Sequence, residues 1–451
     1  MNIFFMSLGC DKNLVDSEMM ISSLRKNDFL IVNDPEEADV IVVNTCCFIG
    51  DAKEESINSL IELAEYKERR CKLLVATGCL AQRYSNEISE DIPEVDIIIG
   101  TMAYDKLTDA INEKLKELEN VESDDKALAV LEDIDRVVEP DVTRESLSGS
   151  YSAYLKISEG CNKRCTYCII PYVRGSYRSF PMENLVKQAE KLCKEGAKEL
   201  ILVAQETTLY GVDLYGEKSL HKLIQELSKV PGLRWIRLLY CYPEEIYDGL
   251  IEEFKNNPKL VNYIDMPIQH ASDNVLRKMG RRTDKKALLE VIGKLRKEVP
   301  DITLRTTLIT GFPGETEEDF KELKGFVEEV RFERLGVFTY SQEEGTPAAE
   351  FEDQVEEEIK QERCDEIMEI QQDIAFDNAN DAIGEELIVL IEGYLPEEDV
   401  YIGRSYKDAP EVDGFVFVDS DIELESGDFV KVDIVKSKGY DLLGDLIEAY
   451  K

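Results

Sequence analysis

Histidine and tryptophan are almost missing from this chain, with 2 and 1 among 451 residues. With only His221 and His270 to offer, a zinc site lacks its usual nitrogen ligands. Long apolar runs are missing too: no stretch approaches the length of a membrane span, which excludes a helical membrane protein. The first residues, Met1 to Cys10, are apolar but carry no basic flank and no small-residue cleavage pattern, so a strand is expected there rather than a signal peptide. Basic side chains are scarce as well, 53 Lys and Arg against 94 Asp and Glu, for a net charge of -41. Nucleic-acid binders draw most of their affinity from a basic face. A chain this acidic either hides a local basic patch or acts on something basic; alternatively, the acidity keeps it soluble or matches a salty host cytoplasm.

What is plentiful is cysteine. Eleven thiols without an export signal point to a reducing, cytoplasmic setting and to metal binding rather than disulfides. Three of them form the loop Cys161-Asn-Lys-Arg-Cys165-Thr-Tyr-Cys168. Thiolates suit iron-sulfur clusters, and a cubane has four irons to ligate. Three cysteines leave one iron open to an outside ligand. The competing readings are three buried cysteines or a zinc knuckle, which would want a fourth protein ligand nearby.

At 451 residues and 43% hydrophobic content the chain has room for two or three domains with ample cores. Residues 1–120 alternate apolar runs (Ile3 to Met6, Val40 to Val43, Leu73 to Ala76, Ile97 to Ile99) with amphipathic stretches such as Asp16 to Lys26 and Ala52 to Arg69. That pattern predicts a doubly wound parallel α/β sheet. Three of these strands run into a cysteine: Leu8-Gly9-Cys10, Asn44-Thr45-Cys46 and Thr77-Gly78-Cys79. Ligands of open α/β sheets bind beyond the carboxyl ends of the strands. The three thiols are therefore expected to converge in a second cluster site, although a cysteine at a strand end can also be plain core. Cys47 adjoins Cys46 and is left out of this set, while Cys71, Cys193, Cys241 and Cys364 lack partners at ligand spacing and read as small buried hydrophobes.

Residues 121–150, rich in Glu, Asp and Ser, read as a linker with one short ordered piece. From 151 to 380 six candidate strands, starting with Tyr154 to Ser158 and ending with Leu335 to Thr339, alternate with helices and suggest a partial (β/α)6 barrel. The cysteine loop follows its first strand, so the site belongs at the mouth. Gln205-Glu206-Thr207-Thr208, Pro267 to His270 and Thr310-Gly311-Phe312-Pro313-Gly314-Glu315 follow later strands at the same rim. A long acidic helix, Glu350 to Asn380, leads to residues 381–451, whose short β runs suggest a small antiparallel barrel. That last segment has 6 Lys and Arg against 19 Asp and Glu, a net -13, which makes it a poor RNA clamp.

The loop Cys161 to Cys168 resembles that of the radical S-adenosylmethionine (SAM) enzymes. Together with Ser7-Leu-Gly-Cys10-Asp-Lys-Asn13, Asn44-Thr45-Cys46 and Thr77-Gly78-Cys79-Leu-Ala-Gln82 it resembles the methylthiotransferase family over nearly the whole chain. The resemblance implies two 4Fe-4S clusters, one on Cys161, Cys165 and Cys168 that cleaves SAM and an auxiliary one on Cys10, Cys46 and Cys79. It also implies SAM contacts from Gln205, Glu206 and the turn at Gly311 and Gly314, an aromatic beside adenine at Tyr167, and a TRAM barrel at the end. No side-chain acid or base is assigned to the chemistry. Arg174 and Arg178 either offset cluster charge, hold a substrate carboxylate, or lie on the surface. Phe180 stands where many members have a further arginine, and Glu206 where an aspartate is expected.

Asp11-Lys12-Asn13, Gln205 to Tyr215, Tyr401 to Tyr406 and Ala409 to Gly414 look like the branch that modifies protein. The expected reaction is β-methylthiolation of an aspartate of small-subunit ribosomal protein twelve, with SAM as radical source and methyl donor. A reductant such as flavodoxin or ferredoxin and a sulfur donor are implied as partners, with no membrane and no nucleic acid as main substrate. The rivals are a transfer-RNA adenosine methylthiotransferase of the same family and a non-catalytic iron-sulfur electron-transfer or scaffold protein.

Overall fold

The computed structural model describes residues 1–119, 126–138, 144, 146–147 and 151–450. Its first sheet contains β1 (Asn2–Ser7), β2 (Leu30–Val32), β3 (Val40–Thr45), β4 (Leu73–Gly78), β5 (Val95–Ile99) and β6 (Leu128–Val130). All pair in parallel in the order β2-β1-β3-β4-β5-β6. Every residue of β3 and β4 is buried. That explains their unbroken apolar runs, because a central parallel strand is covered on both faces. The helices that matter for the site are α1 (Asp11–Lys26), α2 (Gly50–Ala64) and the short α3 (Cys79–Arg83). α1 begins five residues before the apolar periodicity shows it, since its first turn is Asp, Lys and Asn. The edge strands β2 and β6, three residues each, are too short to display a period. β6 lies inside the stretch read as a linker, of which 121–125, 139–143, 145 and 148–150 fall outside the described residues.

The second sheet starts with β7 (Ser152–Lys156). A short antiparallel pair, β8 (Ser158–Glu159) and β9 (Arg178–Ser179), follows and brackets the cysteine loop. The sheet continues with β10 (Glu199–Val203), β11 (Trp235–Leu238), β12 (Leu260–Asp265), β13 (Thr303–Thr310) and β14 (Arg334–Thr339). The order β14-β13-β12-β11-β10-β7 is sequential and parallel throughout, with β7 and β14 left as edges, so the barrel is open. Its outward residues, such as Leu155, Leu200, Leu238 and Ile264, pack on the surrounding helices. Its inward residues Tyr154, Ile201, Val203, Trp235 and Tyr263 share one apolar cluster with Val15, Met19 and Met20 of α1. The two sheets are thus joined through a common core.

The chain ends in a closed barrel of β15 (Glu386–Leu395), β16 (Val400–Ser405), β17 (Val416–Asp419), β18 (Phe429–Lys438) and β19 (Asp441–Tyr450). Its pairings are antiparallel apart from β17 with β19. The preceding helix runs Glu357–Asp381, later than its acidic composition suggests, because Pro347–Glu350 forms a separate 3-10 turn.

The last barrel is locked to the second sheet by buried charge. Glu199 accepts from Arg237 Nε at 2.9 Å and from Arg404 Nη2 at 2.8 Å, and all three side chains are at most 1% exposed. Tyr263 donates to Asp413 at 2.7 Å, and Arg334 pairs with Asp408. Burial pushes the Glu199 carboxyl up, but Arg404 and then Arg237 outweigh it and bring it from 4.5 to about 2. Glu199→Gln should leave two guanidiniums buried without a counter-charge, at a cost of about 3–5 kcal/mol in urea unfolding at neutral pH. A carboxyl held low in the folded state contributes fully above 4.5 and loses that contribution as pH falls towards about 2. The gap between mutant and wild type should therefore narrow across that interval.

Candidate functional site

In the first sheet β1 lies between β2 and β3, so the strand order reverses there. At such a switch point the crevice beyond the strand ends is open for a ligand. Cys10 follows β1, Cys46 follows β3, and Cys79 follows β4 as the first residue of α3. Gly9 has φ +84°, and a Cβ there would come within 2.7 Å of Cys46 Cβ and 2.9 Å of its Sγ. Only glycine lets the Cys10 turn approach so closely. Asn13 Nδ2 donates to the carbonyls of Leu8 (3.1 Å) and Thr45 (3.0 Å), while Asn44 Nδ2 donates to the Asn13 carbonyl at 2.9 Å. These asparagines staple two of the cysteine-bearing turns together. Cys46 and Cys79 are buried and Cys10 is exposed. Burial first, then Cys79, pushes the Cys46 thiol up to about 12; burial likewise raises Cys79, with Cys10 adding to it. The three thiols are electrostatic neighbours.

In the second sheet the cysteine loop is anchored on both sides. Cys161 N–H donates to the Gly175 carbonyl (3.1 Å), Cys168 N–H to Cys165 (3.0 Å) and Thr166 N–H to Met279 (2.9 Å). Gly160, at φ +78°, lets the loop leave β8 against the backbone of Gly175 and Ser176. Burial raises Cys161 to about 11 and raises Cys168, with Cys165 the next contributor in the latter. Among the described residues no three His, Cys, Asp or Glu side chains close on a point fit for a single metal ion. The thiols of a cubane bind separate irons, so a cluster does not require such a point. Two all-sulfur triplets suit iron-sulfur chemistry better than zinc.

The rim residues fall into two groups beside this loop. Gln205 Nε2 donates to Glu159 Oε1 at 2.8 Å, and its Oε1 is buried without a partner. Glu206 Oε1 accepts from Thr208 N–H at 2.9 Å; its Oε2 has no hydrogen bond, with Lys163 Nζ at 4.0 Å. Glu244 Oε2 is likewise orphaned, and Lys163 lies 3.6 Å from its other oxygen. Glu244 Oε2 also has Arg281 Nη2 at 3.8 Å, which leaves Gln205 Oε1 and Glu206 Oε2 as the acceptors that a donor-rich group such as an ammonium would satisfy. In the other group, the Tyr167 ring meets Phe312 edge-on at 6.4 Å, beside Gly311 and Gly314. Both glycines have positive φ, and the close approaches they permit are to Lys360 and Lys278. The Gly311 N–H bonds Glu315 of the same turn (2.8 Å) and the Gly314 N–H bonds the Asp353 carbonyl (2.7 Å), so the turn is held both from within and by the segment that follows β14. His270 is buried, accepts from Ser272 N–H at 2.9 Å and lies 3.6 Å from Glu315, supporting the same turn.

Between the two cysteine sets lies a buried ionic cluster. Arg174 reaches Asp16 Oδ2 (2.6 Å) and Glu159 Oε2 (3.2 Å), and also bonds Asn13. Lys156 pairs with Glu159 at 2.7 Å and with Asp16. Arg174 is therefore interior, not a surface arginine. Arg178 instead binds Asp135 (3.3 Å) and the carbonyls of Ile134 and Arg174. Phe180 is core, its carbonyl accepting from Tyr210. A second strap crosses opposite: Glu343, after β14, pairs with Lys53 of α2 at 2.8 Å and Arg83 of α3 at 3.3 Å.

Comparison with known proteins matches this architecture. Residues 2–100 match "Uncharacterized protein family UPF0004", 155–327 the radical SAM superfamily and 383–447 the TRAM domain. The chain is 56% identical over 445 residues to the ribosomal protein uS12 methylthiotransferase RimO of Lachnoclostridium phytofermentans, covering 98% of this chain and 99% of that protein. RimO of Clostridium botulinum strain Hall is 50% identical, covering 98% and 97% respectively. The chain belongs to the RimO family. Among solved structures, the radical SAM methyltransferase TsrM of Kitasatospora setae superposes with a TM-score of 0.55 at 14% identity, covering 77% of this chain and 73% of that one. The cobalamin-dependent radical SAM enzyme OxsB gives 0.52 at 14%, covering 83% and 56%. At that identity the likeness is one of fold alone. As a member of the RimO family and a radical SAM protein, the chain works with a 4Fe-4S cluster and SAM.

Sequence reasoning missed Asp16, Lys156 and Glu159. A lysine within an otherwise apolar strand, Ser152–Lys156, was the available signal, since a buried lysine needs a partner. Burial pushes the Glu206 carboxyl from 4.5 up to about 7 against the opposing pull of Thr208 and Lys163. The folded protein thus holds a proton there that the unfolded chain releases, and its stability falls as pH rises from 4.5 to about 7. Glu206→Gln should remove this contribution, so its melting temperature gains on wild type across that window; parallel curves would contradict the assignment.

Proposed function

We infer that this protein methylthiolates the β-carbon of an aspartate in ribosomal protein uS12. The observation that carries the reading is the arrangement of two cysteine triplets, at the switch point of one sheet and the mouth of the other, joined through one buried ionic cluster. The family relation to RimO supplies the substrate. In this reading Cys161, Cys165 and Cys168 ligate the cluster that binds SAM, and Cys10, Cys46 and Cys79 ligate an auxiliary 4Fe-4S cluster. When bound, these groups would supply the radical and sulfur-transfer chemistry that side chains cannot, with Cys161, Cys165 and Cys168 holding one and Cys10, Cys46 and Cys79 the other.

The remaining work belongs to side chains. Gln205 Oε1 and Glu206 Oε2, buried and unpartnered, receive the ammonium of SAM. Tyr167 offers its ring to adenine beside the turn at Gly311 and Gly314. Burial raises the thiols of Cys46, Cys79, Cys161 and Cys168, so these four keep their protons until a metal displaces them, and cluster loading would release protons. The buried charges at the junction are matched with one another, Asp16 and Glu159 against Lys156 and Arg174, so the scaffold between the two triplets is held without a free charge among these four.

The net charge of -41 favours encounter with a basic ribosomal protein, by about ten- to a thousand-fold at low salt. A flavodoxin or ferredoxin serves as reductant and a separate donor replenishes sulfur. The protein acts in the cytoplasm, where its substrate is made; among the described residues no helix is long and apolar enough to cross a membrane.

Reduced, reconstituted protein with SAM and a sulfide source should add methylthio to purified uS12, read by mass spectrometry. Modification of transfer-RNA adenosine instead would place it in the other branch, and clusters without 5′-deoxyadenosine would make it non-catalytic. Cys161→Ala should abolish 5′-deoxyadenosine formation. Cys10→Ser should keep some SAM cleavage while losing methylthio product, as chromatography of both products would show.

A further inference from the structure

Arg174 is 2% exposed, and its three guanidinium nitrogens between them reach α1, α3 and β8. Nε lies 3.4 Å from Cys79 Sγ at the start of α3. Nη1 bonds Asp16 of α1 at 2.6 Å and Glu159 of β8 at 3.2 Å, and Nη2 bonds Asn13 of α1. Glu159 turns its other oxygen to Gln205 Nε2 at 2.8 Å. Among the described residues no other lysine or arginine hydrogen-bonds one of the six triplet thiols; Cys165 has a neutral neighbour, the Tyr242 hydroxyl at 3.9 Å. The charge of Arg174 is shared with its carboxylate partners, and Lys156 stands against the same two carboxylates.

We propose that Arg174 is a positioning residue of the auxiliary site that holds the Cys79 sulfur by a charge-assisted hydrogen bond and thereby sets the reduction potential of the cluster bound there. The proposal rests on the reading of Cys10, Cys46 and Cys79 as cluster ligands. A hydrogen bond and a nearby positive charge at a ligand sulfur favour the reduced, more negative cluster, so they raise its potential. Removing Arg174 lowers it. Removing the charge of Asp16, which offsets the guanidinium, raises it. The two substitutions therefore act with opposite signs, which general loosening of the interface does not produce.

The test uses the full chain with Cys161, Cys165 and Cys168 all replaced by alanine, so that only the auxiliary cluster remains, and follows its reduction by electron paramagnetic resonance during a potentiometric titration. In that parent, Arg174→Met should shift the midpoint to lower potential, Asp16→Asn to higher potential, and Arg174→Lys should fall between Arg174→Met and the parent. Unchanged midpoints at equal iron content, or shifts of the same sign, overturn the proposal. If Arg174→Met fails to retain iron, Asp16→Asn decides: a raised midpoint supports the role, and an unchanged or lowered one overturns it. A parent that binds no iron overturns the reading of the three cysteines itself, and the role of Arg174 with it.

Discussion

Four charges taken out of water at one junction are the constraint on which the remainder of this structure depends. Asp16, Lys156, Glu159 and Arg174 have side chains at most 5% exposed, two of each sign. Removing one partner from such a set strands another in the interior, at a cost of about 3–5 kcal/mol. Asp16 belongs to the first sheet's layer, while Lys156, Glu159 and Arg174 belong to the second. An apolar contact alone would tolerate sliding between the layers. Here the three nitrogens of Arg174 address α1, α3 and β8 at once, so a shift of one layer breaks bonds to another. The separation of the two cysteine triplets is thereby fixed by electrostatics rather than by a linker.

Convergence within each triplet has a different physical origin. Cys10, Cys46 and Cys79 come from turns separated by more than thirty residues, and the parallel order of β1, β3 and β4 brings them to one edge. Positive-φ glycines then allow backbone approaches that a Cβ would block: Gly9 against Cys46, Gly78 against Thr45. Cys161, Cys165 and Cys168 need no such long-range assembly, since their short loop is pinned to Gly175 and Met279. This difference accounts for how visible each set is in a sequence. A compact loop announces itself by spacing, whereas a sheet-end triplet appears only once strands have been placed.

The same distinction sorts what was legible elsewhere. Sheet class, the six-strand open barrel and both cysteine sets follow from apolar runs and from residues at strand ends, because burial on both faces writes itself into composition. The short edge strands β2 and β6 did not, nor did the polar first turn of α1, because neither carries a period. Side-chain partners were less legible still. Nothing in the linear pattern says that Asp16 meets Arg174 across 158 positions. Nor does it say that Gly311 and Gly314 turn their close approaches towards lysines of the fold.

The last barrel shows how residues of a recognisable motif can serve the packing of one domain on another. Tyr401 to Tyr406 and Ala409 to Gly414 resemble the protein-modifying branch, and a surface role would be the simplest expectation. Instead Arg404, Asp408 and Asp413 turn inward, to Glu199, Arg334 and Tyr263 of the open barrel. Trp235 and Phe429 complete the contact edge-on at 4.8 Å. These residues therefore determine how the small barrel is seated, and the rest of a segment whose net charge is -13 is left strongly acidic. Phosphate binding draws on positive charge that this surface does not supply. Seating and charge are set separately: the inward residues of the motif fix the orientation of the small barrel on the second sheet, while the acidity of the segment gives it a field that repels phosphate.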